Sequence, residues 1–139
     1  MTTTASPPSS RFTPALLILE RSPRLEPDLK NLLANTDLLV RPCRSPRDVL
    51  ELSSKMRGSV VVMDFDASPA ETLRLLEHLS HGRRDARPIV LASPEWGELE
   101  WAVRDAGAIH FLPRSTPIRC VANHCRSLLG VIGGNDDSC

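Results

Sequence analysis

The sequence predicts an α/β fold in which five parallel strands form one doubly wound sheet. Three repeated features predict it. Hydroxyl-proline pairs recur at near-constant spacing: Ser22-Pro23, Ser45-Pro46, Ser68-Pro69, Ser93-Pro94 and Thr116-Pro117. A short apolar or β-branched segment precedes each pair, and an amphipathic stretch follows it. A hydroxyl at the N-cap accepts a bond from an unpaired helical N–H, and proline at the first helical position loses nothing, because its N–H would have no partner. The chain therefore reads as strand then helix, five times over.

The strand segments are Ala15 to Leu19, Leu38 to Val40, Val60 to Met63, Ile89 to Ala92 and Ala108 to Leu112. Runs such as Leu16-Leu17-Ile18-Leu19 and Val60-Val61-Val62-Met63 are apolar at every position, as parallel strands covered by helices on both faces must be. Helix one is expected from Pro23 to about Asn35, with Leu25, Leu29, Leu32 and Leu33 on one stripe. Helix two, Pro46 to Met56, turns Val49, Leu50, Leu52 and Met56 inward. Helix three, Pro69 to about His81, carries Leu73, Leu76 and Leu79, and Glu71 three residues after Ser68 predicts a capping box. Helix four, Pro94 to Ala106, uses Leu99, Ala102, Val103 and Ala106, and helix five, Pro117 to Leu129, uses Ile118, Val121, Ala122, Cys125, Leu128 and Leu129. Gly58, Gly82, Gly107 and Gly130 follow the last four helices as stop signals. A leucine-rich solenoid has a similar period, but these segments share no L-x-x-L-x-L consensus. Right-handed crossovers then leave the doubly wound sandwich.

A chain of 139 residues with 41% hydrophobic content supports one domain with a real core. The expected domain spans residues 14–130, behind a disordered Thr/Ser/Pro-rich arm at 1–13 and ahead of a flexible tail at 131–139. Seventeen basic residues balance seventeen acidic ones, so no global field draws the protein to nucleic acid or to an anionic membrane. No signal peptide and no membrane-length apolar run is evident, and a cytoplasmic protein is expected. Cys43, Cys120, Cys125 and Cys139 have no metal-ligand spacing with His78, His81, His110 or His124 and are expected as reduced thiols. The tail is too short for a DNA-binding output domain.

In open α/β sheets ligands bind at the carboxyl ends of the strands, near the point where strand order reverses. Those ends carry Glu20 and Arg21, Asp64 and Asp66, Ala92 and Ser93, and Arg114. Asp64 and Asp66 also suit a turn role, receiving N–H bonds in the loop before Ser68. Ser93 suits an N-cap, and Phe111 a core position. Trp96 and Trp101 are five residues apart and cannot share one helix stripe, so one of them is expected at the surface as an interface anchor.

Three segments with this layout resemble the receiver domain of two-component response regulators, the chemotaxis-regulator-like, flavodoxin-like (βα)5 fold. They are Leu17-Ile18-Leu19-Glu20, Val60 to Asp64, and Asp105-Ala106-Gly107-Ala108, and the likeness covers Ala15 to Leu129. The resemblance implies Asp64 as phospho-acceptor, with Glu20 at the first acidic position of the Mg²⁺ site and Phe111 at the switch aromatic. It also implies departures. Arg21 stands where a second acidic ligand is expected, the hydroxyl position falls on Ala92 unless a one-residue slip supplies Ser93, Arg114 replaces a lysine, and Ser115 replaces the proline that follows it.

Mg²⁺ needs several hard oxygen ligands, and a fixed positive charge in place of one carboxylate weakens the site. Magnesium binding is therefore expected to be weak at best, with Arg21 pairing with Asp64 or Glu20 in place of the cation. The expected function is an atypical, or pseudo-receiver, signalling module of a bacterial phosphorelay that acts by protein contact without cofactor or catalysis. Its expected face is helix four, strand five and helix five, carried by Trp96 or Trp101, Glu100, Arg104 and Phe111, with protein partners or a second copy of the chain as occupants. The alternative is a working receiver phosphorylated at Asp64 from a phosphodonor, with Glu20 and Asp66 in a Mg²⁺ shell. A flavin or nucleotide binder is the third class, and Glu20-Arg21-Ser22-Pro23 in place of a Gly-rich loop argues against it.

Overall fold

The computed structural model describes residues 15–34, 36–56, 58–82 and 86–130. The expected arm at 1–13 and tail at 131–139 lie outside these, as does Cys139. Five strands, β1 (Ala15–Leu19), β2 (Leu39–Cys43), β3 (Ser59–Asp64), β4 (Ala86–Ala92) and β5 (His110–Pro113), pair in parallel in the order β2-β1-β3-β4-β5. Helices α1 (Glu26–Leu32), α2 (Pro46–Lys55), α3 (Pro69–His81), α4 (Glu100–Asp105) and α5 (Ile118–Leu129) alternate with them. This is the doubly wound sheet that the sequence predicts.

Strand alternation divides the core into two layers. Leu17, Val61, Met63 and Val90 pack with residues of α2, α3 and α4, while Leu16, Ile18, Val60, Val62, Ile89 and Leu91 pack with α1 and α5. A side chain buried this completely contributes about 1.5–3 kcal/mol, and both faces of β1, β3 and β4 supply such side chains. Strand order reverses between β1 and β3, so their carboxyl ends frame a crevice.

Three prolines lie in strands that run beyond the expected limits. β2 continues through Pro42 because it is an edge strand, paired only with β1. β4 starts at Ala86 and includes Pro88, which pairs with Val61 of β3; pairing with β5 begins only at Ile89. β5 in turn runs to Pro113 at the opposite edge.

Only one of the five hydroxyl-proline pairs caps as expected. Ser45 Oγ accepts the Asp48 N–H at 3.3 Å. The Ser68 side chain caps nothing, so its capping box with Glu71 does not form, and Thr72 Oγ1 instead donates to the Ser68 carbonyl at 2.9 Å. Thr116 Oγ1 donates to the Pro113 carbonyl at 2.6 Å, and Pro117 is itself the N-cap of α5. Ser22-Pro23 lies ahead of α1, whose N-cap is Leu25 and whose first turn holds Pro27. Helix four is also split: a 3₁₀ segment spans Pro94–Leu99 before α4 begins.

Three of the stop glycines, Gly58, Gly107 and Gly130, take a positive φ that favours their residue type. Gly130 ends α5 at φ 69°, in the left-handed region. Gly107 has φ 126°, and a Cβ there would meet Ser80 Cβ and Oγ at 3.3 Å. Cys43 and Cys125 are free, buried thiols whose pKa burial pushes up to about 11 and about 12. Cys120 is disulfide-bonded, contrary to the expected reduced thiol. Among the described residues, no helix is long and apolar enough to cross a membrane.

Candidate functional site

Strand register sets the rim. Met63 lies beside Leu19, Asp64 beside Leu91 and Ala92 beside Pro113, so the residues that follow β1, β3, β4 and β5 emerge at one edge. Backbone bonds fix the flanks: Glu20 N–H donates to the Cys43 carbonyl at 3.1 Å, and Arg114 N–H to the Ala92 carbonyl at 2.8 Å.

Glu20 spends its carboxylate on the start of α1. Oε1 accepts the Leu25 N–H at 2.9 Å, and Oε2 accepts those of Arg24 and Glu26, each at 3.1 Å. Early helical N–H groups have no intrahelical acceptor, and an anion there also faces the positive end of the helix dipole. The cap assigned to Ser22 in the sequence is thus supplied by a residue six positions before the helix.

Asp64 ends β3 half-buried and caps the 3₁₀ turn Phe65–Ala67, its Oδ1 accepting the Asp66 N–H at 3.2 Å. Its Oδ2 receives Arg114 Nη2 at 3.1 Å. The expected pairing of Arg21 with Asp64 or Glu20 is not formed. Arg21 is exposed and makes no hydrogen bond or ion pair among the described residues, because Arg114 already occupies Asp64 and backbone N–H groups occupy Glu20.

Asp66 serves β4. Its Oδ1 accepts the Ser93 N–H at 3.0 Å and its Oδ2 the Ser93 hydroxyl. Ser93 therefore faces Asp66 and caps nothing. Burial alone would raise the Asp66 pKa, but the Ser93 bonds, the Arg114 charge and the nearby Trp96 indole outweigh it and hold it below the ordinary carboxylate value of 3.8. The Trp96 Nε1–H is buried and falls outside hydrogen-bond geometry, so it acts on this carboxylate as a nearby dipole. Ala92 is buried in the core and Ser115 is exposed beside Arg114.

Beneath the rim lies an aromatic chain. Phe65, fully buried, meets Trp96 edge-on at 5.5 Å and Phe111 at 6.4 Å. Geometries of this kind add about 0.5–1.5 kcal/mol per pair beyond burial. Sequence reasoning missed Phe65, although an aromatic between two aspartates at a strand's end was the available signal. It also missed Arg44 and Glu71, which with Glu20, Arg21, Asp64 and Ser68 line a pocket of about 50 Å³ at the β1–β3 crevice.

The expected interface residues separate. Glu100 and Arg104 pair with each other at 2.8 Å, and Arg104 also donates to the Ile109 carbonyl. Phe111 and Trp96 lean on the core, whereas Trp101 is 72% exposed and borders α3. On the opposite side of β5, His110 is half-buried, its ring 4.5 Å from that of His124. Burial, His124 and Arg104 all lower its pKa.

No protein-family model matches the chain, and no curated protein matches it. Solved structures do. A response regulator from Thermotoga maritima is 15% identical, with a TM-score of 0.72, over 86% of this chain and 99% of that one. The receiver domain of the Francisella response regulator 1452 is 15% identical, with a TM-score of 0.71, over 84% and 97%. A CheY-like receiver domain protein from Methanospirillum hungatei is 10% identical, with a TM-score of 0.68, over 85% and 95%. The fold is the receiver fold.

A receiver's metal would need oxygen donors from this rim, and the donor set does not suit it. Glu20 is engaged by three N–H groups, Asp66 by Ser93 and Asp64 by a guanidinium. Among the described residues, no three His, Cys, Asp or Glu side chains gather to hold a metal ion.

Proposed function

We propose that the chain is a pseudo-receiver, a signalling module that works by protein contact and does not depend on phosphorylation of Asp64. The observation that carries this reading is the prior commitment of the rim carboxylates. Asp64 already holds a cation, the Arg114 guanidinium at 3.1 Å, and Glu20 has become a helix cap. Drawing either oxygen set toward Mg²⁺ would leave helical N–H groups or a guanidinium unpaired, beside the unneutralised charge of Arg21.

A second reading, phospho-acceptance at Asp64, is favoured by Arg114 itself. A guanidinium already on the carboxylate is positioned to take up charge on an added phosphoryl group. Beryllofluoride with Mg²⁺, followed by backbone amide NMR, separates the two. The pseudo-receiver gives no shifts that spread from Asp64 through Phe65 to Phe111 and no Mg²⁺ binding tighter than about millimolar. Saturable shifts along that route would overturn it.

A further inference from the structure

A groove between α3 and α4 lies apart from the rim. It has a volume of about 350 Å³ and is lined by Leu73, Glu77, Ser80, His81, Trp101, Ala102, Asp105 and Ala106, within the roughly 300–1,000 Å³ that ligand sites occupy. Its floor is apolar, with Leu73, Ala102 and Ala106 half-buried. Its lining includes the indole of Trp101, left 72% exposed. Glu77 and Asp105, one on each helix, are exposed and enter no ion pair among the described residues, whereas nearby Glu100 is already satisfied by Arg104. His81 Nδ1 is bonded to the Glu77 carbonyl at 2.7 Å, so a neutral ring leaves Nε2 as a further acceptor. The groove thus offers an indole, two carboxylates and an imidazole acceptor, and its described lining residues include no Arg or Lys.

We infer that this groove docks an arginine side chain of a partner polypeptide, flanked by apolar residues. Guanidinium is the cation that matches it. It stacks flat on an indole while donating in-plane to carboxylates, whereas an ammonium is a compact point charge. The flanking apolar residues would cover Leu73, Ala102 and Ala106. Trp101 therefore anchors contact on the α3 side of α4, away from the face shared with β5. The inference rests on the proposed contact module but not on the chemistry at Asp64, so the beryllofluoride result leaves it standing or falling on its own.

The test uses the ¹⁵N-labelled chain and the peptide acetyl-Leu-Arg-Leu-amide, with the neutral isostere acetyl-Leu-citrulline-Leu-amide as its control. The arginine peptide is expected to shift the Trp101 indole N–H and the amides of Ser80, Asp105 and Ala106. The citrulline peptide is expected to bind about tenfold more weakly, since it loses the charge. Glu77→Gln with Asp105→Asn is expected to bring the arginine peptide down to the citrulline level, and both positions are exposed, so the variant should fold. Equal binding of the two peptides, shifts centred elsewhere, or no shifts at 10-fold peptide excess over about a millimolar Kd would each overturn the inference.

Discussion

The two sides of the rim use acidic residues for different ends. On the β1 side, Glu20 is a structural cap: three backbone N–H groups converge on it, and the adjacent, exposed Arg21 has no partner among the described residues. On the β3 side, Asp64 and Asp66 tie three strand ends together, one through Arg114 after β5 and the other through Ser93 after β4. The first arrangement is local and holds one helix; the second is long-range and rests on the buried ring of Phe65. Position at a strand's carboxyl end therefore does not fix a carboxylate's role. What it faces does.

The largest effect should come from removing the base of the β3 side. Phe65→Ala should cost about 3–5 kcal/mol, since a fully buried ring with two edge-on partners leaves a cavity that the sheet cannot close. Denaturant unfolding measures it, and a loss under about 1 kcal/mol would mean that Trp96 and Phe111 collapse into the space.

An intermediate effect is expected on the β1 side. Glu20→Ala should cost about 1–2 kcal/mol, the usual range for a lost N-cap, and hydrogen exchange should speed up at Arg24, Leu25 and Glu26 before it does elsewhere. An unchanged exchange pattern at those three amides would remove the distinction between the two sides.

The smallest effect concerns pH. The folded-state pKa of Asp66 lies below its unfolded value of 3.8. The unfolded chain therefore takes up this proton first on acidification. The stability contributed by Asp66 is fully present above about pH 4–5 and fades as pH falls through the folded pKa. Asp66→Asn should flatten the acid limb of the stability curve below about pH 4, relative to the unsubstituted chain. An identical acid limb in the two proteins would show that the Ser93 bonds do not favour the charged form.

The sheet was legible because its signals are redundant. Each strand contains an apolar segment, and the apolar helix faces are spaced to meet the sheet, so one misread boundary changes nothing. The carboxyl-end rule likewise gathered Glu20, Asp64, Asp66, Ser93 and Arg114 at one edge before any coordinates. Their pairing was not legible. Arg21 is adjacent in sequence to Glu20, whereas the cation on Asp64 comes from fifty positions away, and only β5's register brings it there. The hydroxyl-proline pairs misled for a related reason. Each is a sound N-cap in isolation, but Glu20 competes at α1 and Asp66 claims Ser93, and no local rule ranks those competitors.

The unequal burial of the two tryptophans gives the protein a pair of built-in optical reporters. Trp96 lies edge-on to Phe65 and beside the Asp66 carboxylate, so its emission senses the rim from a largely dehydrated site. Trp101 stands in water on α4, and with no tyrosine in the chain nothing else contributes appreciable ultraviolet fluorescence. Events at the strand ends and events on the α3–α4 surface therefore write to different wavelengths of one spectrum.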